Sequence, residues 1–146
     1  MFETMFGFMQ NMVIGFNDEK TSLLEKIEFM AEKYTEMIIK EPQVPLFILS
    51  ELRDNAAEFL EKVPMANIIM ESVFIRQIKD EIAAGTIKEI NPLQFIINLL
   101  GLVIFPFVAS PLIYKMGSLS NKEFEVLMQE RKKMIPIWIK SMFYTS

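Results

Sequence analysis

An all-α fold follows from three observations in the 146-residue sequence. Apolar residues recur at spacings of three and four along most of the chain. No alternating run of strand length stands out, and helix-starting residues sit where the apolar series begin. The expected product is one domain, residues 1–146, of about six to seven helices.

The first helix is expected over residues 2–14, where Phe2, Met5, Phe6, Met9, Met12 and Val13 share a face and Gly15 ends the segment. The second is expected to start around Asp18 to Ser22, where Ser22 and Glu25 have the spacing of a capping box. Its apolar face is Leu23, Ile27, Met30, Tyr34 and Met37, flanked by Leu24, Ala31 and Ile38. Pro42 and Pro45 stop it, since a residue before proline avoids the α region. Short helices are expected over 46–52 and 54–63, the latter capped by Asp54 or Asn55. After Pro64 a longer helix runs over 65–84, with Ile68, Ile75, Ile78 and Ile82 on one face and Gly85 closing it in the left-handed region.

Asn91-Pro92 is a strong helix start: Asn91 caps, Pro92 takes the first helical position and Gln94 the third. That helix is expected to reach about Phe105, where Pro106 disturbs or ends it. Ser120 and Glu123 form a second capping box, opening a last helix over 121–143. Phe124, Leu127, Met128, Met134, Ile135, Trp138 and Met142 lie towards one side of it, and Pro136 is expected to kink it.

No Asp, Glu, Lys or Arg occurs from Ile90 to Tyr114. The stretch is long enough to span a bilayer. Against that stand the amides Asn91, Gln94 and Asn98, the interruptions at Pro106 and Pro111, and flanks without dense basic clusters. A helix covered on most sides by protein is also hydrophobic all round. A subunit core on one side and a partner subunit on the other meets that description.

Composition narrows the chemistry. There is no cysteine and no histidine, which removes disulfides, thiolate metal sites, Ser-His-Asp triads and the commonest general base. The net charge of −4 argues against nucleic-acid binding by this chain alone. Neither phosphate-binding glycine loops nor zinc-protease or hydrolase motifs occur. The carboxylate pairs Glu25/Glu28 and Glu58/Glu61 read as solvated helix faces. An enzyme is not expected, nor a cofactor or metal. The Met-Phe-Glu-Thr start has no basic region of a secretory signal, so a cytoplasmic location is expected.

Twelve methionines and thirteen phenylalanines are a heavy load. They serve either as core filling or as the plastic wall of a pocket for an apolar or aromatic ligand. The pocket reading gathers Phe8, Met9, Met12, Met30, Phe47, Phe74 and Phe95, with Tyr34, Gln77 and Asn98 as polar anchors.

The ordered motifs carry a resemblance. "EIAAGTIKEINPLQFIINLLGLVIFPFVASPL" followed by "FEVLMQERKKMIPIWIKSMF" resembles the C-terminal half of TetR/AcrR-type transcriptional regulators. In that family a Gly-x-Ile/Leu step precedes an Asn/Asp-Pro helix start, here Gly85-Thr86-Ile87 and Asn91-Pro92. An apolar helix, a loop and a last helix follow. "LLEKIEFMAEKYTEMIIKEPQVPLFILSEL" is similar to the family's long helix, proline break and short helix, and "MFETMF" to the helix after the DNA-binding domain.

The resemblance implies an effector-binding domain that homodimerises through its last two long helices, packed as a four-helix bundle about a two-fold axis. It places Leu100, Ile104, Phe107, Phe124, Leu127, Met128, Ile135, Trp138 and Met142 at the seam. The implied ligand is small and apolar or aromatic, and it would shift the first helix to control operator binding in a full-length protein. The family's helix-turn-helix has no counterpart here, so DNA contact would need a domain outside these residues. Pro136 departs from the family pattern at the seam. Two other readings stand beside this one: a helical dimerisation adaptor without ligand, and a small membrane protein.

Overall fold

The computed structural model describes all residues, Met1–Ser146, and it is all-helical. Nine helices form: α1 (Phe2–Phe16), α2 (Leu23–Lys40), α3 (Gln43–Asp54), α4 (Ala56–Lys62), α5 (Met65–Met70), α6 (Val73–Ala84), α7 (Pro92–Val108), α8 (Ser110–Gly117) and α9 (Asn121–Phe143). The expected count of six to seven was too low, for two local reasons.

The helix expected over 65–84 is two helices. Ser72 lies extended, its hydroxyl accepts from Ile75 N and donates to Ile69 O, and this single side chain ends α5 while capping α6. The loop expected after Phe105 is instead the end of α7 followed by α8. Pro106 sits inside α7. The turn between α7 and α8 bends the chain by 69°. Two boundaries also moved. Gly15 lies inside α1, where a Cβ would sit 3.0 Å from the Phe29 ring, so this glycine gives α2 room rather than ending α1. Pro45 lies in the first turn of α3, where backbone N–H groups have no helical partner in any case.

Both capping boxes form. Ser22 and Glu25 exchange hydrogen bonds of 3.1 and 3.2 Å, Ser120 and Glu123 of 3.1 and 3.0 Å. Asn91 Oδ1 accepts from Leu93 N at 3.0 Å, and Gly85 closes α6 with φ +82°. Asn55, expected as a cap, makes no capping bond.

The main core contains 22 buried residues contributed by α1, α2, α6, the Ile87 turn, α7 and α9. Its densest layer is α2 packed along α9, with α7 against both. Glu36 and Lys132 tie α2 to α9 at 3.2 Å. The C-terminus pins the α6–α7 turn: Lys88 N donates to Phe143 O, Thr145 N to Thr86 O, and Tyr144 Oη to Glu81 Oε2 at 3.0 Å. A second cluster of four buried residues, Met5, Met9, Phe59 and Val63, joins the start of α1 to α4. No single helix is long and apolar enough to cross a membrane; α7 and α8 together have the composition but are bent.

Candidate functional site

Two places invite a function: the aromatic interior under α1, and the outer face of α7 and α9. The interior is built by helix register. Met30 and Tyr34 are one turn apart on α2, Phe74 opens α6, and Phe95 opens α7. Aromatic contacts join them: Phe8 stacks on Tyr34 with ring centres 5.2 Å apart, Phe16 on Phe74 at 5.2 Å, and Phe74 meets Phe95 edge-on at 6.3 Å. Burial pushes the Tyr34 phenol far above its ordinary pKa.

Of the residues expected to line a pocket, Met30, Tyr34 and Phe74 surround a void, together with Phe16, Ile69, Ile96, Leu99, Leu100 and Val103. Its volume is about 10 Å³, barely room for one water. Met12 and Phe95 lie in the same core, and Phe8 packs on its edge. The other four are elsewhere. Met9 and Phe47 belong to the small cluster, because α1 points its first half at α4. Gln77 turns to the α1–α2 loop, where Nε2 donates to Thr21 O at 2.8 Å and Oε1 is buried without a partner. Asn98 faces α9, with Nδ2 3.9 Å from the Met142 sulfur.

The open space lies on the other side of α1. A surface groove of about 530 Å³ runs between Phe6, Met9, Gln10, Val13 and Ile14 on α1 and Lys62, Val63, Pro64 and Ile68. This is within the size range of small-molecule sites. Met9 alone was expected there. Phe6 and Val13 were visible in the sequence only as part of the apolar series of the first helix, and Ile14 as one further apolar residue at its end.

The far end of α1 is held firmly. Lys26, 2% exposed, donates to Asp18 O, Thr21 O and Thr21 Oγ1 at 2.6–2.8 Å, and burial lowers its pKa. Asn17 Oδ1 accepts from Val73 N, and Arg76 grips Glu19 with two hydrogen bonds. The Arg76 hydrogen bonds hold the Glu19 carboxyl below its usual pKa. Glu25, Glu28, Glu58 and Glu61 are exposed, and no three acidic groups come together in metal-binding geometry.

On α7, Leu93, Ile97, Gly101 and Phe105 follow one another at four-residue steps along the outer face. Leu93 is 47% exposed, Ile97 and Phe105 60% each. Nothing lies within 4 Å of where a Cβ on Gly101 would be. The neighbouring α9 exposes Leu127, Met134, Ile137 and Met142.

The seam residues expected from the sequence divide. Leu127 and Met142 are exposed, and Leu100, Ile104 and Trp138 are half-buried. Phe107 of α7 and Phe124, Met128 and Ile135 of α9 are buried in the subunit's own core and are not available to a partner, because α9 turns that side to α2 and α7 and Phe107 meets Phe124 between the two helices. Leu93, Ile97, Phe105, Met134 and Ile137 take their place on the open face.

Arg131 crosses this face. Its Nε donates to Leu102 O at 3.2 Å, and its guanidinium lies 5.0 Å from the Trp138 ring centre. Leu102 is four residues before Pro106, so its carbonyl is the one that proline leaves without a helical donor. Arg131 supplies that donor and pairs with no carboxylate in its own subunit. Burial lowers its pKa.

No family model matches the chain, and no curated protein and no solved structure matches it.

Proposed function

We propose that the chain is the effector-binding and homodimerising domain of a TetR-type transcriptional regulator, with α7 and α9 pairing with their copies as a four-helix bundle. The observation that carries this reading is the open apolar face. Three large apolar side chains of α7 and five of α9, Val126 among them, are more than a third exposed on adjacent helices. Contiguous apolar surface of that kind marks an interaction site. A second copy covers it with the same residues, as a two-fold interface requires. Gly101, with open space above it, lets the partner helix approach closely.

The effector side of the reading rests on α1. This helix is clamped at Asn17–Lys26 and held at its other end by the four-residue cluster. A small apolar molecule entering the groove at Val13 and Ile68 would wedge the weakly held half of α1 away from α4. The shift it produces is limited to its differential affinity for the two positions of α1. In a complete regulator that movement would reach DNA-reading domains joined to α1.

A dimerisation adaptor without ligand is the second reading, and the closed 10 Å³ interior favours it. A thermal-shift screen of apolar compounds separates the two. A ligand that binds only the folded chain raises Tm, and Val13→Glu in the groove should abolish the rise. A dimer that responds to no compound is the adaptor.

A further inference from the structure

The geometry points to a reciprocal ion pair, Arg131 of one copy with Glu130 of the other, that sets the register of the proposed dimer. The inference rests on the dimer reading and deepens it.

Arg131 stands at residue eleven of the 23 in α9, and the carbonyl it holds, Leu102, is near the middle of the 17-residue α7. The exposed Gly101 is next to that carbonyl. Arg131 therefore sits close to the middle of both helices, where we place the two-fold axis of the proposed dimer. When such a face pairs about a two-fold axis, residues at its centre meet their own counterparts. Two guanidinium groups would then approach each other as solvent is excluded, which is strongly unfavourable without anions between them.

One carboxylate is in place. Glu130 and Arg131 line the same groove of about 240 Å³ with Leu127, Met134 and Trp138, and Glu130 is exposed. No ion pair joins Glu130 to Arg131 within one chain, so Glu130 does not neutralise Arg131 there. Lys132 is turned inward onto Glu36 and does not compete. Nε is the one donor of Arg131 used inside the subunit, and four N–H groups remain for a carboxylate. Two-fold symmetry makes the pair twice, once on each side of the axis.

The test is charge reversal, read by sedimentation equilibrium. Glu130→Arg sits on an exposed position, so the subunit folds, and the dimer Kd should rise at least about tenfold. Arg131→Glu should do the same and should also lower subunit stability, because the Leu102 carbonyl loses its donor. The double variant, Glu130→Arg with Arg131→Glu, should return the Kd to near the wild-type value while the lost subunit stability stays lost. A purely structural Arg131 would not show that rescue. The pairing is overturned if Glu130→Arg leaves the Kd unchanged, or if the double variant dimerises no better than the worse single one. A wild-type chain that stays monomeric refutes the dimer itself, and the pair with it.

Discussion

The two clusters of this molecule are built differently. The main core is closed by α2, α6, α7 and α9, and each of these helices has a side-chain cap: Ser22, Ser72, Asn91 and Ser120. The corner where the first half of α1 meets α4 rests on a cluster of four buried residues, against which α3 and α5 pack only partly buried side chains, and none of these four helices has a side-chain cap. A cap contributes about 1 kcal/mol, and burial of a large side chain about 1.5–3 kcal/mol. The corner is therefore where the chain opens most easily, and the wide groove lies there. The tight interior holds the shape, and the proposed effector response is assigned to the loose corner.

The largest effect should separate the two. Phe74→Ala in the main core should cost about 3–5 kcal/mol in chemical denaturation, since it leaves a cavity between Phe16 and Phe95. Phe59→Ala, as deeply buried, should cost about 1–2 kcal/mol, because the corner opens locally before the core does. Hydrogen exchange should show α4 and the start of α1 unprotected in that variant while α2 and α9 stay protected. Equal costs for the two substitutions would remove the distinction.

Ile97→Glu is next. At 60% exposure it should leave subunit stability within about 0.5 kcal/mol, while weakening self-association by roughly tenfold or more. Ser120→Ala should then cost about 1 kcal/mol, whereas Asn55→Ala, whose side chain caps nothing, should fall within about 0.5 kcal/mol.

The smallest effect is Glu19→Gln at the exposed pair with Arg76. The folded pKa of Glu19 lies below its ordinary 4.5, so what the pair contributes is complete above that pH and is lost as pH falls through the lower folded value. A Tm gap between variant and parent at neutral pH should close in acid.

The sequence was most legible where a short polar motif fixes the backbone. Ser22/Glu25, Gly85, Asn91-Pro92 and Ser120/Glu123 each act as expected, and α9 has the expected ends. It was least legible where tertiary contact decides. Gly15 was expected to end a helix and instead makes room for Phe29. Periodicity carried one helix through Ser72, where a single hydroxyl serves two helices. The site residues failed for a related reason. An apolar position on α7 or α9 can face the core or a partner, and periodicity does not say which. Phe107, Phe124, Met128 and Ile135 went inward, while Met134 and Ile137 stayed out. Nor does a sequence show that Arg131 answers the carbonyl orphaned by Pro106, since the two lie on different helices.

The central claim is that the face of Leu93, Ile97 and Phe105 is open in one chain because a second chain closes it. Sedimentation equilibrium of the unmodified protein at micromolar concentration tests this most directly. The account predicts a particle of twice the 17.0 kDa chain mass. A folded particle of 17.0 kDa, unchanged as concentration rises, would contradict it.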